Sequence, residues 1–246
     1  TMVPTVCLPI NRVGERSIAG AEIFTPPGYE IVGKEVAFKD LQKPGADWVT
    51  LAEKNESLYT ADVVGNDLFI TTNDGAPRFR VFRTTPEHPE RAAWKEIIPQ
   101  AEAVLEGISP IGGRLCALYQ KDAASVLTVF DFAGQKLRDL PLPAPGSASG
   151  MSGEPDGKEG FFSFSSTFVP PTVFRYDLAT DSLTVSERVA TDIKTDRYEM
   201  KQVWYASKDG TQVPLFIVAK KGLALDGRNP CWLNGYGGFN VSTMPA

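Results

Sequence analysis

The chain has 246 residues and is rich in turn-forming residues, with 22 Gly and 19 Pro. Acidic residues outnumber basic ones by 30 to 25 and the two signs are interspersed, which argues against a basic stripe that binds nucleic acid. No apolar run approaches the ~18 residues of a membrane-spanning helix. Hydrophobic residues make up 42% of the chain, so we expect a packed globular protein with many turns and few long helices.

Three cysteines, Cys7, Cys116 and Cys231, lie far apart along the chain. Their odd number and wide spacing argue against a disulfide framework and against a Cys-x-x-Cys metal site. This usage is typical of a reducing compartment. We therefore expect a cytoplasmic protein, and a periplasmic or secreted form stays open.

Short apolar runs alternate with turns through residues 45–195 and recur at intervals of about 46 residues. Leu115–Tyr119 is echoed by Phe161–Phe164, and Phe130-Asp131 by Tyr176-Asp177. An earlier copy of the apolar run is Asp67–Thr72. The recurrence predicts a repeat architecture built from one small β unit.

Turn residues separate the strands within each unit, at Gly65-Asn66, Gly112-Gly113 and Pro155–Lys158. A four-stranded unit of this length is typical of a β-propeller blade. Residues 45–195 then hold about three blades and residues 1–44 most of a fourth. Four tryptophans are expected to pack in strands and blades rather than to form a ligand platform: Trp48, Trp94, Trp204 and Trp232.

The repeat ends near residue 195. A strand is predicted at Glu199–Tyr205, followed by a turn at Ser207–Gly210 and a return strand at Gln212–Val218. A short buried strand is predicted at Pro230–Leu233. We expect a second domain from residue 196, and we expect the 246 residues to hold only its beginning.

The most conspicuous motif is the glycine-rich run Gly235–Asn240. A dinucleotide-binding loop needs a third glycine and a following helix, and this run has neither. A plain connection between two elements stays open. The third interpretation is the oxyanion-hole loop of an α/β-hydrolase, in which Tyr236 would offer a phenolic donor.

His88 is the only histidine, and it lies in an acidic loop flanked by prolines. We expect it, with Glu87 and Glu90, to be an ordinary solvated residue rather than part of a Ser-His-Asp triad. The nucleophile motif G-x-S-x-G occurs nowhere, since the serines of Gly146–Gly150 fall at the wrong step. The machinery of a serine hydrolase is therefore incomplete in this chain.

The segment after residue 195 resembles the junction between propeller and catalytic domain in the prolyl oligopeptidases, the S9 serine peptidases. The matching text is Gln202–Thr211, Val213–Val218, Lys220-Lys221-Gly222 and Leu233–Asn240. Gly146–Gly150 and Phe162–Ser166 are similar to the last full blade of that family. Cys7–Arg12 is similar to a Cys-x-Pro-x-Asn loop whose cysteine lines the central cavity of the family.

The resemblance implies an all-β partial propeller, about four blades of a larger ring, followed by the first strands of an α/β-hydrolase domain. Residues 1–195 would be the propeller segment. Residues 196–246 would be the N-terminal part of the catalytic domain, cut short.

The resemblance also implies roles for individual residues. Tyr236 matches the tyrosine that donates to the tetrahedral intermediate, and the backbone of Gly237 and Gly238 allows the close approach. Phe239 matches an apolar residue of the substrate pocket, and Cys7 matches the cavity thiol. Phe239 as a plain core residue and Cys7 as an inert buried thiol stay open. Asn234 replaces an aromatic residue that is common at that position.

The implied activity is cleavage of short proline-containing peptides after Pro through an acyl-enzyme, with the propeller excluding large proteins. No metal or organic cofactor, nucleic acid or membrane is implied, and a monomer is expected. The catalytic Ser, Asp and His would come later, so residues 1–246 alone should be inactive. A non-catalytic propeller that binds partners and a peptide macrocyclase are the alternatives.

Overall fold

The computed structural model describes residues 5–9, 36–40, 45, 47–53, 56–192, 194–236 and 242–245. These residues form strands and turns almost throughout, with 3-10 turns at Arg91–Ala93 and Thr195–Arg197. Over these ranges, no helix has the length and apolar character needed to cross a membrane. The all-β prediction is therefore confirmed.

The strands form four successive antiparallel sheets and a final hairpin. The first sheet has β1 (Thr5–Pro9), β2 (Val36–Asp40) and β3 (Val49–Ala52). The second has β4 (Tyr59–Val64), β5 (Asp67–Thr72), β6 (Arg80–Thr84) and β7 (Lys95–Ile98). The third has β8 (Val104–Ile111), β9 (Arg114–Lys121), β10 (Ala124–Asp131) and β11 (Lys136–Asp139).

The fourth sheet has β12 (Ser147–Ala148), β13 (Glu159–Ser166), β14 (Val169–Asp177) and β15 (Ser182–Arg188). A two-stranded hairpin follows, β16 (Tyr198–Ala206) and β17 (Gln212–Lys220). In each four-stranded sheet, neighbours in space are neighbours in sequence. This is the up-and-down order of a propeller blade, so the three predicted blades are confirmed, and the first sheet supplies three described strands of a fourth, of which β3 lies after residue 44.

The hydrophobic cores lie between consecutive sheets, because the middle strands are buried on both faces. On β5, Leu68 and Ile70 face the first sheet, whereas Phe69 between them faces the third. On β9, Leu115 packs toward the second sheet and Cys116 toward the fourth. This two-sided burial explains why the middle strands are continuous apolar runs rather than alternating ones.

Each later sheet contacts the preceding one through its own first strand, and in the fourth sheet β12 lies against β10 of the third. β4 contacts β1 of the preceding sheet and β8 of the following sheet. The first strands therefore lie on the inner side of the array, as the innermost strands of propeller blades do, and the last strands lie on its outer side. The described sheets form an open series rather than a closed ring.

The repeated Asp marks the turn after the third strand of a blade. The carboxylate of Asp131 accepts two backbone N–H bonds after β10, and that of Asp177 does the same after β14. The next residue turns back to the preceding sheet, where Phe132 packs on the ring of Phe69 and Leu178 joins the core between the third and fourth sheets. The recurrence in the sequence thus records a shared turn and a shared contact between blades.

The predicted hairpin turns after β4 and β8 are confirmed, since Val64 pairs with Asp67 and Ile111 with Arg114. The predicted strand at Pro230–Leu233 is wrong. These residues have no strand partner, and Trp232 and Leu233 are 91% and 80% exposed. An extended segment becomes a strand only through hydrogen bonds to a neighbour, and the described residues place none beside it.

The prediction that the tryptophans pack in strands and blades holds for one of the four. Trp94 is buried against the rings of Tyr59 and Phe82, as expected. Trp48 and Trp204 belong to the exposed large hydrophobic residues, together with Trp232. Burial of an indole needs a facing sheet, which Trp94 has in the core between the first two sheets.

Candidate functional site

The candidate site follows the β16–β17 hairpin, which the sequence predicted. Nine residue pairs connect the strands, from Tyr198 opposite Lys220 to Ala206 opposite Gln212. Asp209 shapes the turn, because its carboxylate accepts the N–H of Thr211. That hydrogen bond holds the pKa of Asp209 below its usual value.

The segment after the hairpin leads to the glycine-rich run and ends, in its described part, at Tyr236. The Tyr236 side chain is 56% exposed, and the residues before it carry no strand. Gly237, Gly238 and Phe239 lie outside the described residues. The backbone of Cys7 lies on β1 opposite Phe38, and its side chain also lies outside the described part. The roles predicted for these five residues stay predictions.

The residues that follow the glycine-rich run, 242–245, contact the third sheet. Ser242 Oγ donates to Gln120 Oε1 over 3.0 Å, and Ser125 Oγ lies 3.9 Å from Met244 Sδ. Pro245 is buried and Met244 is half-buried, in contrast to the exposed segment before Tyr236. We call residues 120–125, the turn between β9 and β10 with its flanking positions, the anchor turn.

The β16–β17 hairpin reaches the same turn. Gln202 Nε2 on β16 donates to the backbone carbonyl of Asp122 over 2.6 Å. In the fourth sheet, the turn that matches the anchor turn carries Phe168, whose ring stacks on Tyr198 at 6.2 Å between centroids. Two adjacent blades therefore contact the part of the chain that follows them.

Sequence reasoning missed these contacts. Gln202 and Asp122 are 80 residues apart, and Ser242 and Gln120 are 122 residues apart. Isolated polar residues of this kind carry no periodic or motif signal. Only the spatial convergence of two blade turns on one side of the array shows that they meet.

One carboxylate on an inner strand is unusual. Asp62 of β4 shares a strand face with Val64, which packs against the core between the second and third sheets. Burial raises the pKa of Asp62 to about 6. Among the described residues, its carboxylate makes no hydrogen bond or ion pair. The signal in the sequence that could have found it is an acidic residue next to the apolar pair Val63-Val64 in a strand.

The buried cysteine of the third sheet and the single histidine do not have the environments of catalytic residues. Burial raises the pKa of the Cys116 thiol to about 12, so it stays protonated and is a poor nucleophile. The His88 side chain is 70% exposed and 3.7 Å from Glu90, which confirms the predicted surface loop. Across the described ranges, no three His, Cys, Asp or Glu side chains cluster closely enough to hold a metal ion.

The successive antiparallel sheets, with hydrophobic cores between consecutive sheets, define a segment of a β-propeller. The family model described as "Prolyl oligopeptidase, N-terminal beta-propeller domain" matches residues 15–189. The chain belongs to this family.

Its relatives include several peptidases. The chain is 37% identical over 215 residues to the prolyl endopeptidase of Elizabethkingia meningoseptica, covering 87% of this chain and 30% of that protein. It is 34% identical to the prolyl endopeptidase of Dictyostelium discoideum, covering 75% and 26%. It is 32% identical to the dual function macrocyclase-peptidase POPB of Amanita bisporigera, covering 84% and 29%.

Solved structures agree on the fold. A structure from a study of two prolyl endopeptidases and their inter-domain dynamics matches with a TM-score of 0.80 and 35% identity, over 86% of this chain and 31% of that one. Prolyl oligopeptidase B of Galerina marginata, bound to a 35mer hydrolysis and macrocyclization substrate, matches with a TM-score of 0.76 and 26% identity, over 86% and 30%. The chain thus spans about 30% of the length of these relatives.

Proposed function

We propose that the intact protein is a serine endopeptidase of prolyl oligopeptidase type, which cleaves short proline-containing peptides after Pro. The observation that carries the proposal is the likeness to the Elizabethkingia prolyl endopeptidase, 37% identical over 87% of this chain. The family match over residues 15–189 supports it.

In this proposal residues 1–195 are a propeller segment and residues 196–246 begin an α/β-hydrolase domain. The end of the four-stranded pattern at β15 supports the boundary, because β16 and β17 pair only with each other among the described strands. Exposed apolar side chains after the boundary also support it, since the rest of a catalytic domain would cover them. They are Trp204, Tyr205, Val218, Trp232 and Leu233.

The proposed chemistry is acyl transfer. A serine from outside these 246 residues attacks the carbonyl after Pro, a histidine moves the proton, and an aspartate orients the histidine. The hydroxyl of Tyr236 donates to the oxyanion, and the small residues Gly237 and Gly238 let the loop backbone approach it. Phe239 and Cys7 contact the peptide. The propeller excludes folded proteins, and the enzyme acts as a cytoplasmic monomer without a cofactor.

The test uses the full-length protein and a pair of short peptides that differ only in Pro or Ala at the cleavage position. We expect kcat/KM to fall by about 100-fold or more with Ala, since a shaped apolar pocket no longer holds the ring. A serine-directed phosphonate should abolish turnover. Equal turnover of both peptides would contradict the specificity, and no turnover of any peptide would favour a non-catalytic propeller that binds partners.

A macrocyclase is the second candidate, and the likeness to the Amanita macrocyclase-peptidase favours it. In that reaction the amine of the same peptide, rather than water, takes the acyl group. Mass spectrometry of the products distinguishes the two, because a cyclic product is lighter than the linear one by one water. A substrate of several tens of residues is the appropriate probe, as the Galerina complex holds a 35mer.

A further inference from the structure

Three contacts from beyond residue 195 converge on the anchor turn of the third sheet. Gln202 donates to the carbonyl of Asp122, Ser242 donates to Gln120, and Met244 lies against Ser125. The three partners come from both sides of the glycine-rich run. The chain on each side of the glycine-rich run therefore contacts the same turn.

The anchor turn is suited to hold its partners in fixed positions. Asp122 and Ala123 form a two-residue turn between Lys121 and Ala124, with φ of +53° and +57°. Two residues of positive φ in such a turn match the twist of the flanking strands and make a tight hairpin. The Asp122 carbonyl that Gln202 contacts is therefore set by the hairpin.

Ser125 connects the turn to the fourth sheet. Its hydroxyl accepts the N–H of Ala148 over 2.9 Å, and its own N–H donates to the carbonyl of Gly146 over 2.9 Å. The side chain is buried, so these bonds are shielded from water. Contacts within the third and fourth sheets therefore fix the turn, independently of the residues after 195 that contact it.

The anchor limits where Tyr236 can lie. Five residues lie between Tyr236 and Ser242, and a fully extended chain of these six residue steps spans at most about 20 Å. Pro245, which is buried, fixes φ near one value and so restricts the backbone at the end of the contact. The tyrosine ring itself is exposed and has no such support.

We propose that the anchor turn is the contact through which the propeller positions the chain on both sides of the glycine-rich run, at Gln202, Ser242 and Met244, and so holds the Tyr236 hydroxyl where the oxyanion forms. Gln120 and Ser125 are positioning residues that act through Ser242 and Met244. The catalytic part of this statement rests on the proposed function. The anchoring part rests on the contacts alone.

The test compares four variants of the full-length protein. Gln120→Met removes the acceptor and keeps the length, Ser242→Ala removes the donor, and the double variant removes both. Gln120→Glu keeps an oxygen acceptor and should restore the contact. Lys121→Gln is the matched control, because Lys121 lies in the same turn and, among the described residues, its ion pair is with Glu102 of the propeller, at 2.8 Å.

The first readout is amide hydrogen exchange of peptides covering residues 231–245. We expect exchange to be about 5–10-fold faster in Gln120→Met and in Ser242→Ala, with no further gain in the double variant, since one hydrogen bond is lost in each case. Gln120→Glu and Lys121→Gln should exchange like the wild type. Unchanged exchange in both single variants, or additive effects in the double variant, would overturn the anchoring.

The second readout is steady-state kinetics with a peptide whose chemical step limits the rate. We expect kcat to fall by about 3–10-fold in Gln120→Met and Ser242→Ala, with KM changed less than twofold. Faster exchange without a change in kcat would overturn the positioning role. A wild type that cleaves no proline peptide would instead contradict the proposed function, while the exchange data would still decide the anchoring.

Discussion

The guanidinium of Arg114, at the start of β9, donates through Nη2 to the backbone carbonyl of Leu178 in the next sheet, over 2.9 Å. The preceding pair of sheets has a counterpart, because Arg83 donates to the carbonyl of Phe132 over 3.2 Å. Leu178 and Phe132 are the residues that follow the repeated Asp. The interfaces between the second and third sheets and between the third and fourth sheets are therefore each closed by an arginine on one side and the same turn position on the other.

Loss of the Arg114 guanidinium should destabilise the protein. It also donates to Tyr176 Oη over 2.8 Å and lies 3.2 Å from Asp181 Oδ1. We expect Arg114→Gln to lower the free energy of unfolding by about 2 kcal/mol, because it leaves buried partners without a donor. Urea denaturation measures this. Lys136→Gln, which breaks an exposed ion pair with Asp139, is the control and should change stability by less than about 0.5 kcal/mol.

The glycine pair of the β8–β9 turn should respond unequally to alanine. Gly112 and Gly113 have φ of +54° and +76°, so a side chain is strained at either. A Cβ on Gly113 meets open space, whereas one on Gly112 would collide with the carbonyl of Gly157 and the side chain of Leu178. We expect a loss of about 1 kcal/mol for Gly113→Ala and at least about 3 kcal/mol for Gly112→Ala. Equal losses in chemical denaturation would contradict this packing.

Asp62 should make stability depend on pH. Its pKa is about 6 in the folded protein, against an ordinary value of 3.8. The folded state therefore holds the proton more tightly, and stability falls as pH rises between about 4 and 6. Above pH 6 the buried charge costs up to about 3 kcal/mol.

The variant Asp62→Asn removes this cost. We expect it to unfold at a higher temperature than the wild type at pH 7.5 and at a similar temperature at pH 4, as measured by thermal scans in matched buffers. Asp74→Asn is a control, since the Asp74 side chain is 42% exposed and lies 3.7 Å from Arg91. A stability difference for Asp62→Asn that does not vary with pH would show that packing, not charge, is responsible.

Removal of the Tyr236 hydroxyl should slow the proposed reaction. We expect Tyr236→Phe to lower kcat by about 10–1000-fold for substrates whose chemical step limits the rate, because one oxyanion donor is lost. Tyr205→Phe is the control, because Tyr205 is an exposed tyrosine on the β16–β17 hairpin that precedes Tyr236. An unchanged kcat with several such substrates would contradict the role of Tyr236.

The blades could be predicted from the sequence because their information is local and repeated. Leu115–Tyr119 and Phe161–Phe164 form the second strand of their sheets, and Gly112-Gly113 forms the turn expected of it. A strand with neighbours on both faces is apolar throughout, and a turn of positive φ favours glycine. Such constraints act over a few residues and leave a readable pattern.

The contacts of the candidate site could not be read in this way. Gln202, Ser242 and Gln120 are ordinary polar residues whose partners are set by the arrangement of blades, not by their neighbours in sequence. The strand prediction at Pro230–Leu233 failed although its local pattern was clear. Its pattern is that of a buried strand, but hydrophobicity specifies burial without supplying the partner that a strand requires.

The closing of these two interfaces by the turn of the following sheet has a consequence for the order of synthesis. The residue that completes the core beside Arg114 lies 64 positions later in the chain, and the one beside Arg83 lies 49 positions later. A blade that has just left the ribosome is therefore unfinished until most of the next blade has been made. A pause in translation within one blade would thus expose the apolar surface of the blade before it.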